Sequence, residues 1–95
     1  MNRASQKLVE HGSGNGRLLA DGEPEVPVQY VLDTWTENIP TGSGTWAEMQ
    51  SRDGVIWWDG SNLPHKACTL ETENGQALRV NLFELRSQRA RFYCV

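Results

Sequence analysis

Hydrophobic and polar positions alternate most cleanly between Lys66 and Phe83. Cys68 and Leu70 alternate with polar neighbours before Glu73-Asn74-Gly75, and Leu78, Val80 and Leu82 do so after it. A period of two puts one set of side chains on a buried face and the other in water, so this stretch predicts a β-hairpin. Asn-Gly invites a two-residue loop. That register would set Leu70 opposite Arg79 and Cys68 opposite Asn81, joining an apolar face to a polar one. A three-residue loop of Glu73, Asn74 and Gly75, with Gly75 left-handed in a G1 bulge, pairs Leu70 with Leu78 and Cys68 with Val80. Because a one-residue slip turns each side chain to the opposite face, the apolar pattern selects the three-residue loop.

Beside the hairpin arms at 66–72 and 77–84, the pattern predicts strands at 17–20, 27–37, 44–50, 55–58 and 89–95, mostly antiparallel. Pro27 belongs at a strand start or on an edge. From Val28 to Glu37 one face offers Val28, Tyr30 and Leu32, while the other offers Val31, Asp33 and Trp35. Apolar groups on both faces predict a bend or bulge near Leu32-Asp33 that switches the core-facing side, and the curvature suits a small barrel. Trp35 and Trp46 are expected to face each other across the turn at 38–44. Asp53-Gly54 and Asp59-Gly60 are turn signals bracketing Val55-Ile56-Trp57-Trp58. Adjacent residues of an extended chain point to opposite sides, so one of Trp57 and Trp58 seals the core and the other lies outward. In the last strand Ala90, Phe92 and Cys94 face inward, with Arg89, Arg91 and Tyr93 outward.

The predicted fold is all-β: a small, strongly curved sheet or partly open barrel of six to seven short strands, forming a single domain over 17–95. Residues 1–16 end in His11-Gly12-Ser13-Gly14-Asn15-Gly16 and are expected to be a flexible leader. The expected core is Leu18, Val28, Tyr30, Leu32, Trp35, Trp46, Cys68, Leu70, Leu78, Val80, Leu82, Phe92 and Cys94.

Composition narrows the picture modestly. The chain has 95 residues, 38% of them hydrophobic and 22% charged, which fits one small globular domain. Four tryptophans supply much buried area or strong interface anchors for this length. The net charge of -3 argues against a duplex-gripping protein. Its distribution is uneven: residues 21–64 hold eight carboxylates against the single base Arg52, while the two flanking segments each carry a surplus of two positive charges. No apolar segment has the length of a signal peptide or membrane helix, so a cytoplasmic location with no membrane contact is expected. Two cysteines, Cys68 and Cys94, are too few for a secreted disulfide framework and are expected to be buried thiols.

Candidate chemistry is sparse. The glycines of the leader have neither phosphate-loop spacing nor a following Gly-Lys-Ser/Thr. His65 and Cys68, with His11 and Cys94, do not have metal-ligand spacing, and strand alternation turns residues 65 and 68 apart. No nucleophile and base are placed together by a motif, so no catalytic residue, cofactor or metal is expected. The expected function is a non-enzymatic binding or assembly domain acting through protein–protein contacts or self-association, with Trp57 and Trp58 as the candidate interface. The alternative is binding of single-stranded nucleic acid or an anionic nucleotide. Arg79, Arg86, Arg89 and Arg91 would meet phosphates around Tyr93 in that case.

Overall fold

A computed structural model describes residues 6–60 and 66–95 of the chain. Six antiparallel strands carry the fold: β1 (Gln6–Leu19), β2 (Val26–Pro40), β3 (Trp46–Trp57), β4 (Ala67–Glu71), β5 (Ala77–Arg86) and β6 (Arg89–Cys94). They form a ring in the order β1-β2-β3-β6-β5-β4, with β4 pairing back onto β1. The all-β expectation therefore holds. Among the described residues no helix is long and apolar enough to cross a membrane.

The central hairpin adopts the register that its apolar pattern selects. Cys68 pairs with Val80 and Leu70 with Leu78. The Thr72 amide donates to the Gln76 carbonyl at 2.8 Å and the Gly75 amide to the Thr72 carbonyl at 3.0 Å, enclosing Glu73, Asn74 and Gly75. Gly75 has a φ of 86°, a left-handed value that costs glycine nothing and other residues about 1–2 kcal/mol.

Period-two burial builds the core. Leu18, Val28, Tyr30, Cys68, Leu70, Leu78, Val80, Leu82 and Phe92 are buried as expected, and Ile56, Trp58 and Ala90 join them. Leu32 and Cys94 are only partly buried against this cluster. Gly54 allows Phe92 its place: the two are paired across β3 and β6, and Phe92 is fully buried. A side chain at position 54 would collide with the ring and with the Val31 carbonyl.

Several expectations are corrected. Gln6–Gly16 belongs to β1 and pairs with β2 as far as Glu37, rather than forming a flexible leader. Glycine-rich sequence hides the strand because glycine contributes no side-chain period. Residues 1–5 lie outside the described residues. The expected strands 44–50 and 55–58 are one strand, since Asp53 and Gly54 stay in register with Asp33 and Leu32. No bulge interrupts β2 against β3, and the one irregularity in the β1–β2 ladder lies on β1, between Leu8 and Glu10. Trp35 is opposite Ser51 and Trp46 opposite Pro40, so strand alternation sets the two tryptophans on opposite faces and they do not pair. Trp35 is half-buried, and Trp46 is 66% exposed rather than in the core.

The long strands give the molecule its shape. β4 covers only Arg17–Leu19 of β1, and β6 covers only Asp53–Trp57 of β3. The rest of β1, β2 and β3 continues beyond the ring as a three-stranded arm, and the principal extents are 50 × 23 × 21 Å.

Candidate functional site

Two surfaces need weighing: the outer face of β3, β6 and β5, and the arm. On the first, cross-strand pairing lines up Trp57, Arg89 and Arg86 in one row, Val55, Arg91 and Phe83 in the next, and Asp53, Tyr93 and Asn81 in a third. Outward alternation of β6 thus exposes Arg89, Arg91 and Tyr93 as expected. Several of these groups already have partners. The Arg91 guanidinium lies 5.1 Å from the centre of the Phe83 ring, and its Nη1 donates to Glu84 Oε2 at 3.3 Å. Phe83 and Tyr93 pack with their centres 5.8 Å apart at 49°. Asn81 Nδ2 donates to the Tyr93 hydroxyl at 3.2 Å.

The four arginines do not converge. Arg79 and Arg86 stand seven residues apart on β5, about 23 Å at strand rise. Arg86 and Arg89, by contrast, are directly opposite each other beside Trp57, which is 38% exposed. Like charges placed across a ladder repel, and these two guanidinium groups stand together on this face. Trp58 turns the other way and is buried in the core, its amide bonded to the Gln88 carbonyl at 3.1 Å. Of these two adjacent tryptophans, Trp57 is the outward one and Trp58 the one that seals the core.

The arm carries the larger apolar exposure. Trp46, Met49, Val9 and Leu8 are 66%, 55%, 49% and 45% exposed. The register places Leu8 beside Trp35, with Ile39, Ala47 and Met49 on that same face. The other face is polar, with Glu10, Thr34, Thr36, Asn38, Arg52, Gln50 and Glu48, and it ends in Trp46 at the tip. Trp35 Nε1 donates to Asp53 Oδ1 at 3.1 Å, and His11 Nδ1 lies 2.5 Å from Asp33 Oδ1, which ties the strands together near the ring. The sequence pattern did not single out this surface. Trp46 falls on one face and Ala47 and Met49 on the other, so the strand has no one-sided apolar signature.

Two clefts open to solvent where the arm leaves the ring. One, of about 490 Å³, is lined by Gln50, Ser51, Arg52, Ala77, Leu78, Arg79, Cys94 and Val95. The other, of about 360 Å³, lies between β1, β2 and the hairpin loop and includes Tyr30, Leu32, Thr72 and Glu73. In the second cleft the Tyr30 hydroxyl accepts the Glu73 amide at 3.1 Å. Among the described residues every buried side-chain nitrogen or oxygen has a hydrogen-bond partner. Burial pushes the Cys68 and Cys94 thiols up from their ordinary value, which holds both in the protonated, poorly nucleophilic form at neutral pH. Among the described residues no group of three or more His, Cys, Asp or Glu side chains is arranged to hold a metal ion. His65 lies outside the described residues.

Compared with known protein families, curated proteins and solved structures, the chain matches none of them.

Proposed function

We propose that this chain is a small non-enzymatic binding or assembly domain that works through protein–protein contacts. In this reading the ring is a compact barrel serving as a mount, and the arm is the contact surface. One observation carries the proposal: a three-stranded sheet extends past the ring with exposed Leu8, Val9, Trp46 and Met49. Exposed aromatic and Met side chains on a sheet whose edges have no strand partner among the described residues are the chemistry of strand addition and of hot-spot contacts. The interface thereby moves from the expected Trp57 and Trp58 to the arm, since Trp58 is part of the core.

The test is capture of proteins from native extract by the purified chain, compared with two variants. Trp46→Ala with Met49→Lys is expected to lose the captured proteins, whereas Arg86→Glu with Arg89→Glu is expected to retain them. Capture that survives the arm variant unchanged refutes this surface. A second reading, binding of single-stranded nucleic acid or an anionic nucleotide, draws on the row of Trp57, Arg89 and Arg86. It predicts a rise in anisotropy of a labelled single-stranded oligonucleotide that the arginine reversal abolishes.

A further inference from the structure

The two outer edges of the arm differ. The β1 edge is interrupted at Val9, where Leu8 and Glu10 pair with adjacent residues of β2, and it is diluted by Gly12 and Gly14. A bulge of this kind blunts an edge against further pairing. The β3 edge is regular. Trp46 to Arg52 stays in unbroken register with β2, and β6 covers β3 only from Asp53 onward. Seven consecutive residues, Trp46-Ala47-Glu48-Met49-Gln50-Ser51-Arg52, therefore present one side of their backbone without a strand partner among the described residues.

We propose that this edge pairs antiparallel with the same edge of a second copy of the chain, about a two-fold axis through Met49, joining two arms into one six-stranded sheet. This inference rests on the reading of the arm as a contact surface and names its partner. The edge is self-complementary, as an isologous contact demands. With Met49 opposite Met49, Trp46 falls opposite Arg52, Ala47 opposite Ser51 and Glu48 opposite Gln50, each pair occurring twice. An aromatic meets a guanidinium, a carboxylate meets an amide with the second copy's Arg52 on one diagonal and its Glu48 on the other, and no like charges are directly opposed. The register uses the whole unpaired stretch. Sliding it by two residues toward the tip sets Glu48 against Glu48. Sliding it the other way runs Ala47 into Asp53, which already pairs with Tyr93.

The cleft beside this edge adds a second observation. It is bounded by Gln50, Ser51 and Arg52 on one side and by Leu78, Cys94 and Val95 on the other. A strand laid along β3 in the proposed register brings its own Trp46 to Arg52, at the mouth of that cleft, on the face that Arg52 shares with the partly apolar lining. The most exposed tryptophan of one copy thus meets the cleft of the other.

The experiment uses the purified full chain alone, in sedimentation equilibrium over about 1–100 µM, a span that covers micromolar dimers. The expected result is a concentration-dependent shift from one copy to two. Met49→Lys sets like charges face to face and is expected to weaken the dimer at least about tenfold. Leu8→Lys, on the opposite edge strand, is expected to leave it intact; circular dichroism checks that both variants fold. As a register test independent of those variants, Met49→Cys is expected to form an intermolecular disulfide under mild oxidation and Gln50→Cys is not. A chain that stays monomeric throughout, or cross-linking by Gln50→Cys in place of Met49→Cys, overturns the proposal. A monomer whose arm still captures extract proteins overturns the second copy as partner while leaving the contact-surface reading standing.

Discussion

Gly54→Ala is the substitution that most directly tests how the ring and arm are joined. The new Cβ would stand 1.8 Å from the Val31 carbonyl oxygen and 2.9 Å from two carbons of the Phe92 ring. Neither neighbour can step aside easily, since one is strand backbone and the other is a fully buried aromatic. Forcing extra atoms into a packed core costs about 1–3 kcal/mol. Here β2 and β3 must also separate, losing one or two ladder hydrogen bonds at about 1 kcal/mol each. The expected loss is therefore roughly 3–5 kcal/mol, a large share of the 5–15 kcal/mol typical of a whole domain. In urea unfolding followed by tryptophan fluorescence, a slope near 1.5 kcal/mol/M turns that loss into a midpoint lower by about 2 M or more. Gly12→Ala is the control, because no heavy atom lies within 4 Å of its added Cβ. It is expected to stay within about 1 kcal/mol of the parent. A Gly54→Ala midpoint within about 0.5 M of the parent would refute the claim that Gly54 is required by contact.

Gly75→Val should destabilise by about 1–2 kcal/mol, because a β-branched residue is forced to a φ of 86°, and Gly75→Asn should cost less; thermal unfolding of both variants checks the order. Trp58→Ala should cost about 3–5 kcal/mol in urea unfolding and Trp57→Ala about 1 kcal/mol or less, since only Trp58 is buried in the core. Stability should fall as pH rises past 9.0, the ordinary thiol value, toward the raised values that Cys68 and Cys94 have in the fold. In that window the unfolded chain has released thiol protons that the folded chain still holds, so unfolding is favoured, and Cys68→Ala should give a shallower decline above pH 9.0 in chemical unfolding.

The parts of the fold legible in the sequence are those where one face is buried and the other wet. In β4 and β5 the alternation of Cys68, Leu70, Leu78, Val80 and Leu82 decided even the register of the turn, because any slip would have exposed the whole apolar set. β6 was legible for the same reason. The arm was not. Gly12, Gly14 and Gly16 erase the period of β1, so a long paired strand has the composition of a linker. Asp53-Gly54 has the composition of a turn, yet Gly54 is in β3 because Phe92 and the β2 backbone crowd the space a side chain would fill. At the candidate site, outward Arg89, Arg91 and Tyr93 followed from alternation along β6. The partners of Arg91 depend on the ladder bringing Phe83 alongside and on Glu84, and strand spacing within one segment carries no information about either.

Apolar residues in β2 change sides after Leu32, and the strand does so without a bulge against β3. Inside the ring, Val28 and Tyr30 point to the core. Beyond it, positions of the same parity are Thr34, Thr36 and Asn38, while Trp35 and Ile39 take the opposite face with Leu8, Ala47 and Met49. A side that turns polar has no apolar surface with which to extend the core, so the ring ends there for a reason written in the strand itself. The side that turns apolar faces away from the ring, and exposed Leu8 and Met49 show that the described residues leave it uncovered in part. Exchanging sides in this way ends a core and opens a surface within one continuous strand. A pre-organised edge loses less entropy on pairing than a flexible segment does. In the proposed reading, the side exchange, the tight crossing at Gly54 and the regular β3 edge act together to present a strand to a second copy.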